Sequence, residues 1–196
     1  GSDVGRWAED LLARAPERAV WVGWSLGGLL ALEAARRAPE RVASLILVSA
    51  SPCFVDREGL GCGMAADTLE QFMLGLAQDQ SLTLQRFLAL QVVGAEGARE
   101  ARTRLVQAVA GAAPAAEDAL RAGLEILRDT DLAASLQEIS PPVSVLLGDR
   151  DRIVPPCVAD LYRRALPRSH VHVQAGAGHA PFLHAPALLG QWLEQR

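Results

Sequence analysis

Apolar positions along the chain follow two alternating rhythms. Four short runs, Ala19 to Val22, Ser44 to Val48, Val143 to Leu147 and His170 to Val173, are rich in β-branched and aliphatic residues and read as strands. Helical stretches separate them, the alternation expected of a parallel sheet covered on both faces. The first crossover helix is predicted from Leu26 to Arg37. It ends before Pro39, and Arg36 and Arg37 complement the negative end of its dipole.

From about Pro52 to Arg128 the strand pattern gives way to helical periods. Leu69, Phe72, Met73 and Leu76 fall at i, i+3, i+4 and i+7, and Leu84, Phe87, Leu88 and Gln91 repeat the spacing. Segments around Leu105 to Val109 and Leu120 to Leu127 are similar, with breaks at Gly94, Gly97, Gly111 and Pro114. The stripes themselves predict core packing. The chain therefore divides into a first core part (1–54), a helical cap inserted between strands (55–128) and a second core part (129–196). Ala110 to Pro114 is only a short inter-helix turn, so the cap is not a free domain.

Composition narrows the picture. Half of the 196 residues are apolar, which suits one globular domain with an insertion. Nineteen basic against twenty-three acidic residues, a net charge of −4, argue against general nucleic-acid or membrane-surface binding. No run of about 18 apolar residues and no signal peptide is visible. The three cysteines, Cys53, Cys62 and Cys157, are odd in number and lack zinc-like spacing, which predicts a reduced, cytoplasmic protein. Gly59 to Gly63 follows no strand and reads as a loop, so no nucleotide, metal or other cofactor is expected.

Candidate chemistry begins where the first strand ends. Gly23-Trp24-Ser25-Leu26-Gly27 is a G-x-S-x-G sequence between an apolar run and a helical stretch, the context of a nucleophile elbow. A sharp strand-to-helix turn would strain Ser25, and side chains at positions 23 and 27 are expected to collide with nearby backbone. Serine is a weak nucleophile near neutral pH and needs a base oriented by a third group. In α/β-hydrolases the partners follow in the order serine, acid, histidine. Asp151 lies in a loop after the third run, and His179 in the glycine-rich loop Gly176-Ala177-Gly178-His179 after the fourth. Asp149 competes for the role of acid but ranks second, because the usual pattern leaves two residues between the glycine, here Gly148, and the acid. His170 and His172 are expected to pack or face solvent, and His184 to be solvated. The N–H of Leu26 is one oxyanion donor; no HG-containing loop is present to supply a second.

The sequence Gly23 to Leu29, followed by Ala38-Pro39-Glu40-Arg41-Val42 and Ala50-Ser51-Pro52-Cys53-Phe54, closely resembles the pimeloyl-[acyl-carrier protein] methyl ester esterases of biotin synthesis, a family of α/β-hydrolases. The likeness continues through Arg86 to Gln91, Gly123 to Leu127, Asp151 to Pro155 and Gly178 to Phe182, and spans the chain, cap included. It implies hydrolysis of a carrier-bound methyl ester with release of methanol. It also implies Ser25, Asp151 and His179 as the triad and Leu26 as the oxyanion residue. Substrate contacts are implied at Trp24, Phe87, Leu88, Ala89, Leu90 and Gln91, although Trp24 also reads as a core aromatic. Arg86 and Arg99 match positions that hold the acidic carrier protein, and Arg102 and Arg104, flanking Thr103, can substitute where others differ. A solvated helix face explains the same arginines.

Relative to that family the resemblance begins partway in, which predicts an N-terminally truncated hydrolase with an exposed apolar sheet edge beside the first strand. A full-length form is expected to be monomeric. Loss of one oxyanion donor costs about 10²- to 10³-fold in rate. Three readings follow: a carrier-specific methyl esterase, a general short-chain esterase or lactone or C–C-bond hydrolase, and an inactive fragment.

Overall fold

The fold is organised by a parallel sheet whose strands end together. In a computed structural model, which describes residues 1–111 and 115–195, β1 (Ala19–Trp24), β2 (Val42–Val48), β3 (Val143–Gly148) and β4 (His170–Gln174) are hydrogen-bonded in the order β1-β2-β3-β4. Each matches an expected run. Trp24 lies opposite Val48, Val48 opposite Leu146, and Gly148 opposite Gln174. This register brings the loops after β1, β3 and β4 to one edge of the sheet, where parallel α/β sheets place their sites.

Alternate side chains of the strands enter different layers. Leu45, Leu47, Val145 and Leu147 pack with Leu29 and Leu32 of α2 (Leu26–Arg37) and with Val158 and Tyr162 of α7 (Val158–Ala165). Ile46, Val48 and Leu146 face the other way, onto Trp192 of α8 (Pro186–Glu194). Each fully buried aliphatic side chain contributes about 1.5–3 kcal/mol. Burial pushes the Tyr162 phenol well above its ordinary range, so it stays protonated and donates to the Ala50 carbonyl at 3.2 Å. β1 is one of the two edge strands among the described residues, and Val22 is 49% exposed there.

One helix was not expected. α1 (Val4–Arg14) is capped by the Asp3 carboxylate, which accepts the Arg6 N–H at 2.6 Å. Its Ala8 and Leu12 pack on Ala34 of α2. Beneath that contact the buried Glu33 carboxylate accepts from Arg36 at 2.9 Å and from Arg37 at 2.6 Å. Burial alone would raise the Glu33 pKa, but the two guanidiniums outweigh it and hold the carboxyl below its ordinary value.

Between β2 and β3 the helical periods form α3 (Ala66–Gln78), α4 (Gln80–Leu90), α5 (Ala98–Ala110) and α6 (Glu117–Asp129). Gly94 and Gly97 break the path between α4 and α5, each with positive φ (81° and 61°). The break expected at Pro114, and most of the turn Ala110 to Pro114, lie outside the described residues.

The expectation of three reduced thiols is not met. Cys62 and Cys157 form a disulfide across a sequence separation of 95, and Cys53 alone is free. Cys62 sits on the loop between Val55 and Met64, and Cys157 at the N-cap of α7. Only the folded path of the first loop over the second brings them together. Denaturing thiol titration without reductant is expected to find one thiol per chain, rising to three after reduction. Reduction should lower unfolding stability by up to about 4–5 kcal/mol through loop entropy. Three thiols before reduction would rule the cross-link out.

Candidate active site

Ser25 occupies the sharp turn between β1 and α2 with φ 53° and ψ −120°, a conformation that costs a non-glycine residue about 1–3 kcal/mol. Neighbouring groups hold it there. Its N–H donates to the Val48 carbonyl at 3.0 Å, and its carbonyl accepts from Gly28 at 2.9 Å and Leu29 at 3.3 Å. A Cβ on Gly23 would lie 2.5 Å from the Gly27 carbonyl oxygen and 2.5 Å from the Gly28 Cα. The expected collision at Gly27 is corrected: a Cβ there meets nothing, and the crowded partner is Gly28, packed against Ala50. The reason is helical direction, since position 27 faces outward from the first turn of α2 while position 28 faces the sheet. Leu26 is the first residue of α2, where backbone N–H groups have no acceptor within the helix. Among the described residues no strand precedes β1, so no loop of the expected kind offers a second oxyanion donor.

The acid and base loops meet at the same edge. His179 Nδ1 lies 2.8 Å from Asp151 Oδ2, and both side chains are almost fully buried. Asp151 Oδ1 accepts the N–H groups of Ile153 at 2.8 Å and Val154 at 2.9 Å, so the carboxylate cannot swing. A carboxylate facing Nδ1 requires the proton on Nδ1, which leaves the Nε2 lone pair open. Nε2 is buried and has no hydrogen-bond partner. Asp149, the competing acid, is exposed, and its backbone N–H donates to the Gln174 carbonyl at 3.1 Å.

Ser25 and His179 share a cavity of about 380 Å³ with a nearly apolar lining. Phe72, Phe87, Leu120, Leu124 and Trp7 form much of its wall, and Thr83 and Gln91 are its few polar members. Of the five expected contact residues on α4 and its C-cap, Phe87 and Gln91 line it and Leu88, Ala89 and Leu90 do not. Positions four apart share a helix face, whereas the three between them turn away. Trp24 also lines the cavity, so it is both packed and exposed to an occupant. Trp7 and Gly123 were missed; their places depend on how α1 and α6 lean over the site, which residue spacing does not encode. A somewhat larger cleft, about 410 Å³, lies beside Pro142 and Arg168 at the opposite end of β3 and holds no nucleophile beside a base.

The remaining candidates fall elsewhere. Arg86, Arg99, Arg102 and Arg104 are all exposed, on α4 and α5, and Arg104 pairs with Glu100 at 3.2 Å. His170 stacks edge-on against Trp192 with centroids 5.3 Å apart, and His172 Nε2 lies 3.2 Å from Gln174 Oε1. His184 is not simply solvated: its Nε2 donates to the Glu96 carbonyl at 2.8 Å and its Nδ1 is buried, because the α4–α5 turn closes over it.

A model of the alpha/beta hydrolase family matches residues 2–191. Pimeloyl-[acyl-carrier protein] methyl ester esterase of Serratia marcescens is 42% identical over 93% of this chain and 71% of the relative. That of Nitrosomonas europaea is 42% identical over 93% of the chain and 73% of the relative. The chain belongs to this esterase family of α/β-hydrolases. Solved structures share the fold of this hydrolase at lower identity. An esterase from Exiguobacterium antarcticum superposes with a TM-score of 0.85 at 23% identity, covering 100% of this chain and 74% of the other. Bromoperoxidase from Bacillus anthracis gives 0.84 at 21% identity, covering 98% and 74%.

Three substitutions test the geometry of the site. In Asp151→Asn the amide oxygen keeps the Ile153 and Val154 bonds and turns the NH₂ toward His179, forcing the proton onto Nε2. Ester hydrolysis should fall about 10⁴-fold with little loss of stability; near-normal turnover would remove Asp151 from the site. Gly27→Ala should keep or raise the melting temperature, worth about 0.5–1 kcal/mol in a helix, whereas Gly23→Ala should unfold the elbow. Equal behaviour of the two alanine variants in thermal melts would contradict the packing described.

Proposed function

We propose that this hydrolase cleaves the methyl ester of a pimeloyl chain carried on acyl carrier protein, releasing methanol. The observation that carries the reading is the apolar cavity opening onto Ser25 and His179, in a chain that is 42% identical to esterases named for that substrate. Methylene groups of a pimeloyl chain gain about 0.8 kcal/mol each on entering such a lining. Few polar groups compete for them.

Ser25 is the nucleophile and His179 the base. As the Ser25 oxygen attacks the ester carbonyl, Nε2 takes its proton, and the buried Asp151 carboxylate stabilises the resulting imidazolium. The Leu26 N–H faces the developing oxyanion at the positive end of α2. His179 then returns the proton to the departing methoxide, giving methanol and an acyl-serine. Water attacks that ester with the same base, and Ser25 is regenerated.

Residues 55–128 serve as the cap over the cavity, with Trp24, Phe87 and Gln91 touching the acyl chain and Leu88, Ala89 and Leu90 supporting the wall. Arg86, Arg99, Arg102 and Arg104 meet the acidic carrier protein from the exposed side of α4 and α5. This reading puts a full-length form in the cytoplasm as a monomer. The Cys62–Cys157 bond is the feature that argues against a reducing compartment.

Methanol release from methyl pimeloyl-acyl carrier protein, with Ser25→Ala as the blank and p-nitrophenyl butyrate as the comparison ester, tests the reading. Turnover of the carrier-bound ester that vanishes in Ser25→Ala is expected. Replacing the four arginines with alanine should weaken only the carrier-bound substrate, each contact contributing about 1.5–3 kcal/mol at most. Hydrolysis of the small ester alone would make the chain a general esterase, and hydrolysis of neither by folded protein would make it inactive.

A further inference from the structure

His179 has to present one ring atom to Ser25 from a loop built of Gly176, Ala177 and Gly178, with Gly176 at φ 73°. Its bond to Asp151 fixes the ring only at Nδ1, and a ring held at one atom can still pivot if its backbone shifts. The backbone is clamped on both sides. The His179 N–H donates to the Gln91 carbonyl at 2.8 Å, at the C-cap of α4. The Trp24 indole Nε1–H donates to the His179 carbonyl at 2.7 Å.

These two bonds differ in origin. The first reaches His179 from the cap, where Gly178 lies so close that a Cβ would sit 2.6 Å from the Gln91 carbonyl oxygen. The second reaches it from the residue that immediately precedes Ser25. Trp24 is fixed in turn by its backbone in β1, opposite Val48, and by edge-on packing against Phe182 with centroids 5.2 Å apart. Its ring lies 5.8 Å from that of His179 at an interplanar angle of 41°. One side chain therefore ties the nucleophile's strand to the base's peptide.

We propose that Trp24 is a positioning residue for the base: its indole N–H holds the His179 peptide at a set distance from the elbow, so that Nε2 faces Ser25. The inference rests on His179 acting as base, as proposed above, but not on the identity of the ester. An indole without its N–H would leave the His179 carbonyl without that donor and the loop free to shift. Because proximity of reacting atoms governs rate steeply, the effect falls on the chemical step rather than on substrate affinity.

The test replaces Trp24 with β-(3-benzothienyl)alanine, introduced site-specifically, which keeps the ring shape and exchanges the N–H for sulfur; Trp24→Phe is the coarser companion. Two rates are read per active site counted by burst titration: phosphonylation of Ser25 by a fluorophosphonate, and kcat for p-nitrophenyl butyrate. Both should fall about tenfold, with KM changed by less than about twofold and the folded fraction unchanged. Rates per active site within about twofold of the parent chain overturn the proposal. So does a rise in KM at constant kcat, which would make Trp24 a substrate wall only. His179→Ala, measured in parallel, separates the two ideas: labelling as fast as in the parent would dismiss His179 as base whatever Trp24 does.

Discussion

The rest of the structure depends on how closely the first turn of α2 crosses the end of β1. Gly23 and Gly28 meet there at backbone contact with the Ala50 Cβ beside them, and a Cβ on either glycine would collide. The contact holds Ser25 at a positive φ, at the wall of the cavity it shares with His179. The strain is sustained because the surrounding layers are rigid: Val48 ends a strand buried on both faces, and Ala50 is held by Tyr162 from below. A loosened crossing would let the serine relax and would misalign the helix terminus that faces the oxyanion.

Much of this was legible in the chain. The helix from Leu26 to Arg37 has its expected limits, because the crowded Gly23 precedes it and Pro39 follows. Asp151 was favoured over Asp149 by loop position, and its two backbone donors, Ile153 and Val154, explain why that position suits a fixed carboxylate. α1 was overlooked, although Asp3 and the spacing of Val4, Trp7, Ala8, Leu11 and Leu12 carry a helical signal. The cysteine pair was not legible. Nothing local distinguishes Cys62 and Cys157 from Cys53, and only the tertiary path joins them.

The cavity shows the same division between local and global information. Apolar stripes on α3, α4 and α6 predicted packing, and their inner residues do pack against the core. Yet Phe72, Phe87, Leu120 and Leu124 also border the space beside Ser25. A stripe therefore serves the core along part of its length and an occupant along the rest. Which part does which is decided by the tilt of the helices, a property of the assembled layers rather than of any one segment.

The disulfide gives these helices an unusual connectivity. Residues 62 and 157 close a covalent ring that contains all of α3 to α6 and the whole of β3. Asp151 lies inside that ring, whereas Ser25 and His179 lie outside it, on the two tails. A single break in the backbone anywhere between the two cysteines would open the ring without parting the molecule, and both tails would remain tethered beside the acid. The cap could thus be nicked and the three candidate residues still be held in one covalent piece.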